Sequence, residues 1–454
     1  MIFRSINPYS GEIIFETESL SAVQLQDKLD ASAAYFSEWR LTRLQHRLDL
    51  LLSLARLLEE EADHHAVQMA EEMGKTFTEG RAEILKSAAT IRFFVEKSPE
   101  WLAPKNVALE GKSGIQFIEP LGGILLVMPW NFPFWQILRA AIPALCAGNV
   151  ILMKHAPNVM RAAQSLENLF HRAGFPENVF INLPIGIEDL EKTVAHKSVA
   201  AISFTGSETA GRSLAALAGK YLRKCVLELG GSDPLLVLPD ADVAFAGSMA
   251  AKARLINNGQ SCIAAKRFLV HHSLENQFID AIIQELEKFV LGNPVLPETS
   301  LGPQARPDLV ENLHRQLNLS ENEGAQLVYQ MVRPHHGGNF FLPVILKNVT
   351  TDMTCFVEEL FGPIVPVTTY KTIDEAVALA NHSRYGLGAS IYSADLDLAQ
   401  KLALRLECGN VAINTMVRSQ ASLPFGGIKA SGYGKELSQL GLMEFTNAKS
   451  VVVG

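Results

Sequence analysis

The sequence predicts an α/β protein with two parallel-sheet domains, and three observations carry that prediction. Between about residues 122 and 240, the short apolar runs G-I-L-L-V-M, N-V-I-L-M-K, N-V-F-I-N-L and V-A-A-I-S-F alternate with amphipathic segments of helical length. Strands buried on both faces read as such continuous apolar runs, and the helices between them return the chain to the same edge. A second set, R-F-L-V-H-H, F-G-P-I-V-P-V-T-T-Y, G-L-G-A-S-I-Y and N-V-A-I-N-T, extends from 268 to about 415. Ahead of both, from about 21 to 99, apolar residues recur at helical spacing, as in L-D-L-L-L-S-L-A-R-L-L-E-E-E, and predict a helical layer.

Each remaining element has its own local cause. The segment 103–119 has strand-turn-strand character with a glycine-containing turn, and N-A-K-S-V-V-V-G at the carboxyl end adds a further strand. P-W-N-F-P closes one apolar run and opens a helix, with Pro133 suited to its first turn; Lys154 closes the next run before Pro157 opens another. Ligands of open parallel sheets bind beyond the carboxyl ends of the strands, where helix amino termini present free N–H groups. Asn131 and Lys154 are therefore candidate site residues, and S-F-T-G-S-E-T-A-G-R occupies an equivalent position with Gly206-Ser207 as a possible phosphate approach.

Composition narrows the function. Forty basic and 48 acidic residues leave a net charge of -8, and no basic run interleaves with aromatics, which argues against a nucleic-acid partner. No stretch of about 18 apolar residues occurs and the amino terminus has no signal-peptide pattern, so a soluble, cytoplasmic protein without a membrane partner is expected. The five cysteines are widely and irregularly spaced, which suits neither a disulfide framework nor a metal centre. The doublets His271-His272 and His335-His336 read as solvated strand ends or loops.

One cysteine stands apart. Cys262 follows N-N-G-Q-S, whose residues are poor core formers and leave a thiol and backbone amides where a ligand can approach. Glu228, inside the strand pattern V-L-E-L-G-G, has two readings: a surface or ion-paired glutamate, or a partly desolvated general base. The other four cysteines, 146, 225, 355 and 408, read as packed side chains.

The motifs P-W-N-F-P, L-M-K, F-T-G-S, L-E-L-G-G, G-Q-S-C, E-E-L-F-G-P and P-F-G-G-I-K-A-S-G occur in that order along the chain. Together they resemble the NAD(P)-dependent aldehyde dehydrogenase superfamily, over nearly the whole chain. The resemblance implies two Rossmann-type domains and a small β oligomerisation arm. Residues 1–102 and 120–229 would bind the dinucleotide, 230–430 would form the catalytic domain, and 103–119 with 431–454 would form oligomerisation or bridging elements.

By the same resemblance Cys262 is the catalytic thiol, Glu228 the base and Asn131 the oxyanion-hole amide. Pro129, Trp130, Lys154, Pro157, Thr205, Gly206, Ser207, Glu359 and Phe361 fall along the dinucleotide, with Lys154 on a ribose and Glu359 and Phe361 at the nicotinamide end. K-H-A-P-N-V, K-C-V-L-E-L-G-G-S-D-P, A-A-K-R-F and R-L-E-C-G further resemble a compact class of bacterial succinate-semialdehyde dehydrogenases.

That class implies a cation for the substrate carboxylate. Arg139, two helical turns after Asn131, matches it, against the reading of an ordinary surface arginine. A second arginine common in such enzymes is replaced by Ile256, so Arg418 is expected to substitute, with Ser422 in the same loop; solvation of that loop is the alternative for Arg418. Pro157 stands where NAD-strict members carry a glutamate, so both NADP and NAD should fit, with His155 or Arg161 near a 2′-phosphate. A homodimer or homotetramer is implied. The competing functions are oxidation of another aliphatic or amino aldehyde, acyl transfer to coenzyme A, and a non-catalytic structural or ligand-binding role.

Overall fold

The structure, a computed structural model, describes every residue except Gly111 and 334–336. The glycine expected in the turn of the arm and the His335-His336 doublet lie outside the described residues. Six strands form the first sheet, in the order Gly432–Tyr433, Lys224–Glu228, Val199–Thr205, Gly123–Val127, Val150–Lys154 and Phe180–Asn182. All neighbours are parallel except Gly432–Tyr433, which runs antiparallel to Lys224–Glu228.

The second sheet has seven strands, in the order Gln326–Gln330, Val344–Lys347, Ile364–Tyr370, Ala265–His271, Asp233–Val237, Gly388–Tyr392 and Asn410–Ile413. Only the edge strand Gln326–Gln330 is antiparallel. The chain passes from the first sheet to the second between Glu228 and Asp233.

The helical layer appears as Ala22–Trp39, Leu44–Glu60, Ala62–Met73 and Phe77–Trp101. Ser21 caps the first of these through a reciprocal bond with Gln24, which satisfies two otherwise orphaned backbone donors. A short hairpin, Ile2–Ile6 with Ile13–Glu18, precedes it. Helix Trp135–Ala147 lies between this layer and the first sheet, and all of its residues are buried. Its sequence, W-Q-I-L-R-A-A-I-P-A-L-C-A, has almost no polar face for water, so it becomes the central element of the domain. Pro133 and Pro157 both precede their helices by more than the sequence suggests, since those helices begin at Trp135 and Met160.

The arm is a three-stranded antiparallel sheet of Thr446–Val453, Lys112–Pro120 and Lys105–Leu109. Of the segment 431–454, only its last strand joins this sheet. Gly432–Tyr433 belongs to the first sheet, and helix Ser438–Glu444 packs on Trp135–Ala147, because the chain must cross the first domain before reaching the arm. Among the described residues, no helix is long and apolar enough to cross a membrane.

Candidate active site

The segment N-N-G-Q-S before Cys262 does not leave the open approach its composition suggests. Asn257, Asn258, Gln260 and Ser261 are completely buried. Asn257, Asn258 and Gly259 take φ values of 53°, 57° and 82°, three successive left-handed residues. Asparagine and glycine tolerate that region best, which is why this run carries them. A Cβ on Gly259 would lie 2.6 Å from the Gly362 carbonyl carbon, so the loop is also pressed against the backbone at Gly362.

Side-chain amides replace the missing regular hydrogen bonds. Asn258 donates to the Gly74 and Pro303 carbonyls at 2.9 and 3.2 Å and accepts from the Gly302 amide at 2.8 Å. Gln260 accepts from the Ala305 amide at 2.9 Å. Lys266 is fully buried and donates to the carbonyls of Ser261, Cys262 and Ala264 at 2.9, 2.8 and 3.2 Å. The thiol is thus held on a rigid frame.

Half-buried Cys262 forms part of the wall of a 510 Å³ cavity, with Glu79, Lys86, Phe132, Trp135, Arg139, Ile256, Arg418, Ser419 and Phe425 also lining it. Burial pushes the Cys262 thiol up to about 12, with Lys266 and Arg139 opposing the shift. The other cysteines are packed or half-buried, and burial raises each of their pKa values as well.

Glu228 ends its strand 2 % exposed, with neither carboxylate oxygen hydrogen-bonded to a side chain or amide of the protein. It is therefore neither surface-facing nor held in a direct ion pair. Burial, then the nearby Glu436 charge, push its pKa to about 8, while Arg139 and Lys435 pull it down. Three residues on, a Cβ at Gly231 would lie 2.6 Å from the Cys262 carbonyl oxygen. The end of the Glu228 strand and the Cys262 loop therefore meet, and the Glu228 charge is felt at the Cys262 thiol.

Asn131 is buried just behind the cavity wall. Its side-chain amide donates to the Gln260 carbonyl at 3.0 Å, and its oxygen accepts from Gln136 at 3.1 Å, so its orientation is fixed with one N–H to spare. Its own carbonyl accepts from Lys75 at 2.9 Å and from Asn257 at 2.7 Å. Lys75 is ion-paired to Glu83, both buried, and Glu83 accepts from the amides of Phe134 and Trp135 at 2.9 Å each. That carboxylate caps the central helix, supplying the acceptor its first turn lacks. Lys75→Met leaves the Glu83 charge buried without its partner, and an expected loss of roughly 3–5 kcal/mol is read from the urea midpoint.

Arg139 is 4 % exposed, so the surface-arginine reading fails. It lines the cavity but is ion-paired to buried Glu436 and packs over Phe425 at 4.9 Å, so its charge is shared with the protein. Arg418 is exposed and has no carboxylate partner among the described residues; Met416 sulfur, 3.1 Å away, is its hydrogen-bond contact. Ser422 is exposed and outside the cavity lining, where Ser419 stands instead, because the loop turns away after Ser419.

The proposed dinucleotide residues sit along the ends of the first sheet. Lys154 is buried with a single long contact, 3.4 Å to the His155 carbonyl, and burial lowers its pKa; an under-partnered cation at a strand end suits ribose hydroxyls. Thr205 ends its strand in register with Glu228, Gly206 follows, and Ser207 caps helix Glu208–Lys220 by accepting from the Ala210 amide at 3.3 Å. That helix terminus is suited to phosphate.

Glu359 accepts from the Gly231 amide at 3.0 Å and lies 3.5 Å from Lys266; a Cβ on Gly230 would strike its other oxygen at 2.4 Å. Trp130 and Phe361, from different loops, meet edge to face at 5.9 Å, and Pro129 immediately precedes Trp130. Pro157 is exposed beside Lys154. His155 does not fit the 2′-phosphate role: it is fully buried, its ring bonds to the Pro133 carbonyl and the Ala156 amide, and burial lowers its pKa to about 4. Arg161 is already paired with Glu71 at 2.6 Å.

Sequence reasoning missed Lys75, Glu83, Lys86, Lys266, Ser419 and Glu436. A-A-K-R-F contained Lys266 as part of a motif, but nothing local marks it as buried.

Two mostly parallel sheets, with a cysteine in the wall of a cation-lined cavity and a phosphate-suited helix terminus on the first sheet, are an architecture suited to a dinucleotide-dependent oxidoreductase. The chain belongs to the aldehyde dehydrogenase family, whose profile matches residues 1–451. It is 41 % identical over 449 residues to succinate-semialdehyde dehydrogenase [NADP(+)] of Deinococcus radiodurans, covering 99 % of this chain and 94 % of that one. It is 40 % identical to succinate semialdehyde dehydrogenase [NAD(P)+] Sad of Escherichia coli, over 98 % and 97 % of the two chains. Succinic semialdehyde dehydrogenase from Streptococcus pyogenes, solved in complex with NADP+, superposes with a TM-score of 0.96 at 34 % identity and covers 99 % of both chains.

Proposed function

We propose that this protein oxidises succinate semialdehyde to succinate, using NADP or NAD. The observation that carries the substrate choice is the cationic wall of the cavity beside Cys262, where Lys86, Arg139 and Arg418 converge on an apolar lining. An aldehyde with a distal carboxylate satisfies both ends of such a site, whereas a plain aliphatic or amino aldehyde leaves the cations unmatched. Oxidation rather than acyl transfer is favoured by Glu228, a base placed to activate water.

Cys262 sulfur adds to the aldehyde carbon as its proton passes to Glu228, directly or through water. A carboxyl whose pKa is near 8 is a stronger base than an ordinary glutamate, which matters because the thiol is a weak acid here. The spare Asn131 N–H and the Cys262 amide hold the negative oxygen of the thiohemiacetal. The nicotinamide, when bound along Lys154, Thr205–Ser207 and Glu359, supplies the hydride acceptor. Glu228, having released its proton, then deprotonates a water that attacks the thioester carbon, and the sulfur leaves to give the carboxylate.

Two measurements test this reading. Asn131→Ala should lower kcat by roughly 10²–10³, the usual effect of losing one oxyanion donor. A panel of aldehydes of varied length and terminal charge, run with each cofactor, should give its highest kcat/KM with succinate semialdehyde. Equal efficiency for propanal would refute the substrate assignment.

The arm supports assembly as a homodimer or homotetramer. Val107, Leu109 and Val452 are exposed on one face of it, an apolar surface that a second copy would cover, and Val451 and Val453 are exposed on the other. Sedimentation of the whole chain reads the assembly state.

A further inference from the structure

The first half of helix Phe77–Trp101 places Glu79, Glu83 and Lys86 at helical spacing, and all three line the cavity. Glu79 accepts from the Asn257 amide at 2.7 Å and so braces the Cys262 loop, while Glu83 caps the helix that follows Asn131. Lys86 has no equivalent structural duty. Its ammonium lies 4.1 Å above the Trp135 ring and donates to Ser419 at 2.7 Å, with no carboxylate in ion-pair range among the described residues. Its charge is therefore held toward the cavity by neutral groups.

We propose that Lys86, with Ser419, is a ligand for the distal carboxylate of the substrate, and that it discriminates carboxylated from plain aldehydes. The inference rests on the substrate reading above and deepens it. Ile256 also lines the cavity and contributes no charge, while Arg139 is partly neutralised by Glu436. The two cations without carboxylate partners at the cavity are then Lys86 and Arg418, and Lys86 is the one anchored by packing. A flexible ammonium on a four-carbon stem with three donors can bond both Ser419 and an incoming carboxylate.

A dependence on pH follows. The charged groups facing Lys86 are Glu83 and Glu79 on its own helix, Arg139 on the central helix, Arg418 on the loop after Asn410–Ile413, and Lys252 across the cavity. Burial, then repulsion from Arg139, lower the Lys86 pKa to about 8, against the pull of Glu83. Substrate binding should weaken as the ammonium is lost above that pH.

The test compares the wild type with Lys86→Met and Lys86→Arg, each assayed with succinate semialdehyde and with propanal, and with succinate as a competitive inhibitor. Lys86→Met should lose roughly ten- to a hundredfold more kcat/KM toward succinate semialdehyde than toward propanal, with weaker succinate inhibition. Lys86→Arg should recover part of that loss and abolish the rise in KM between pH 7.5 and 9, since a guanidinium stays charged. Titration of Glu228 affects both aldehydes alike, so it does not imitate this signature. A wild type that prefers succinate semialdehyde while Lys86→Met falls equally with both aldehydes would overturn the role of Lys86 alone. A wild type indifferent to the carboxylate would overturn the substrate reading first.

Discussion

Cys262→Ala is expected to reduce aldehyde oxidation by a factor on the order of 10⁴ or more, because the covalent route is lost altogether. The substitution removes one sulfur atom from a loop whose position does not depend on it. Asn257, Asn258, Gln260 and Lys266 hold the backbone through side-chain bonds to Asn131, Gly74, Pro303 and the loop carbonyls. Melting temperature and dinucleotide binding, followed by fluorescence titration, should therefore stay close to wild type while NAD(P)H production disappears. Activity within tenfold of wild type would show that the thiol is not the nucleophile.

Glu228→Gln should cost roughly 10²–10⁴ in kcat and remove the alkaline rise in rate. In the wild type, kcat should climb as pH passes about 8, where the carboxyl becomes able to accept a proton. Glu228 and Glu436 share the neighbourhood of Arg139, so the apparent value belongs to the group rather than to one residue.

Stability follows the opposite course. The folded pKa lies above the ordinary value of 4.5, so the native state holds the proton more tightly than the unfolded chain does. That contribution is complete below pH 4.5 and is lost as pH rises through about 8. Urea midpoints taken across that window should fall less for Glu228→Gln than for the wild type. A variant with an unchanged pH–rate profile would remove Glu228 from the mechanism.

The conspicuous parts of the candidate site were legible because they sit at chain features with local causes. Strand ends followed by glycine, helix starts after proline, and a cysteine after N-N-G are all written in a few adjacent letters. Their ordered occurrence made the family recognisable. The same local view misread the reason for N-N-G: its small polar residues suggested access, whereas the left-handed backbone and the absence of a Cβ at Gly259 are what the loop requires. Lys75, Glu83 and Lys86 were illegible for another reason. In E-M-G-K-T-F-T-E-G-R-A-E-I-L-K they resemble the solvated face of an amphipathic helix, and only the packing of this segment against the central helix buries Lys75 and Glu83 and half-buries Lys86.

By itself, then, the sequence determined the two mostly parallel sheets and the order of the motifs, and it singled out the thiol, carboxylate, amide and lysine of the candidate site. Apolar periodicity and turn chemistry act over a few residues, so they can be read along the chain. The tertiary structure alone decided which charges face the cavity, that Arg139 is shared with Glu436, that Ser419 rather than Ser422 reaches the lining, and that His155 is sealed and neutral. Burial and charge pairing depend on residues tens to hundreds of positions apart, and the desolvation of a carboxyl or an ammonium exists only once those segments have closed around it.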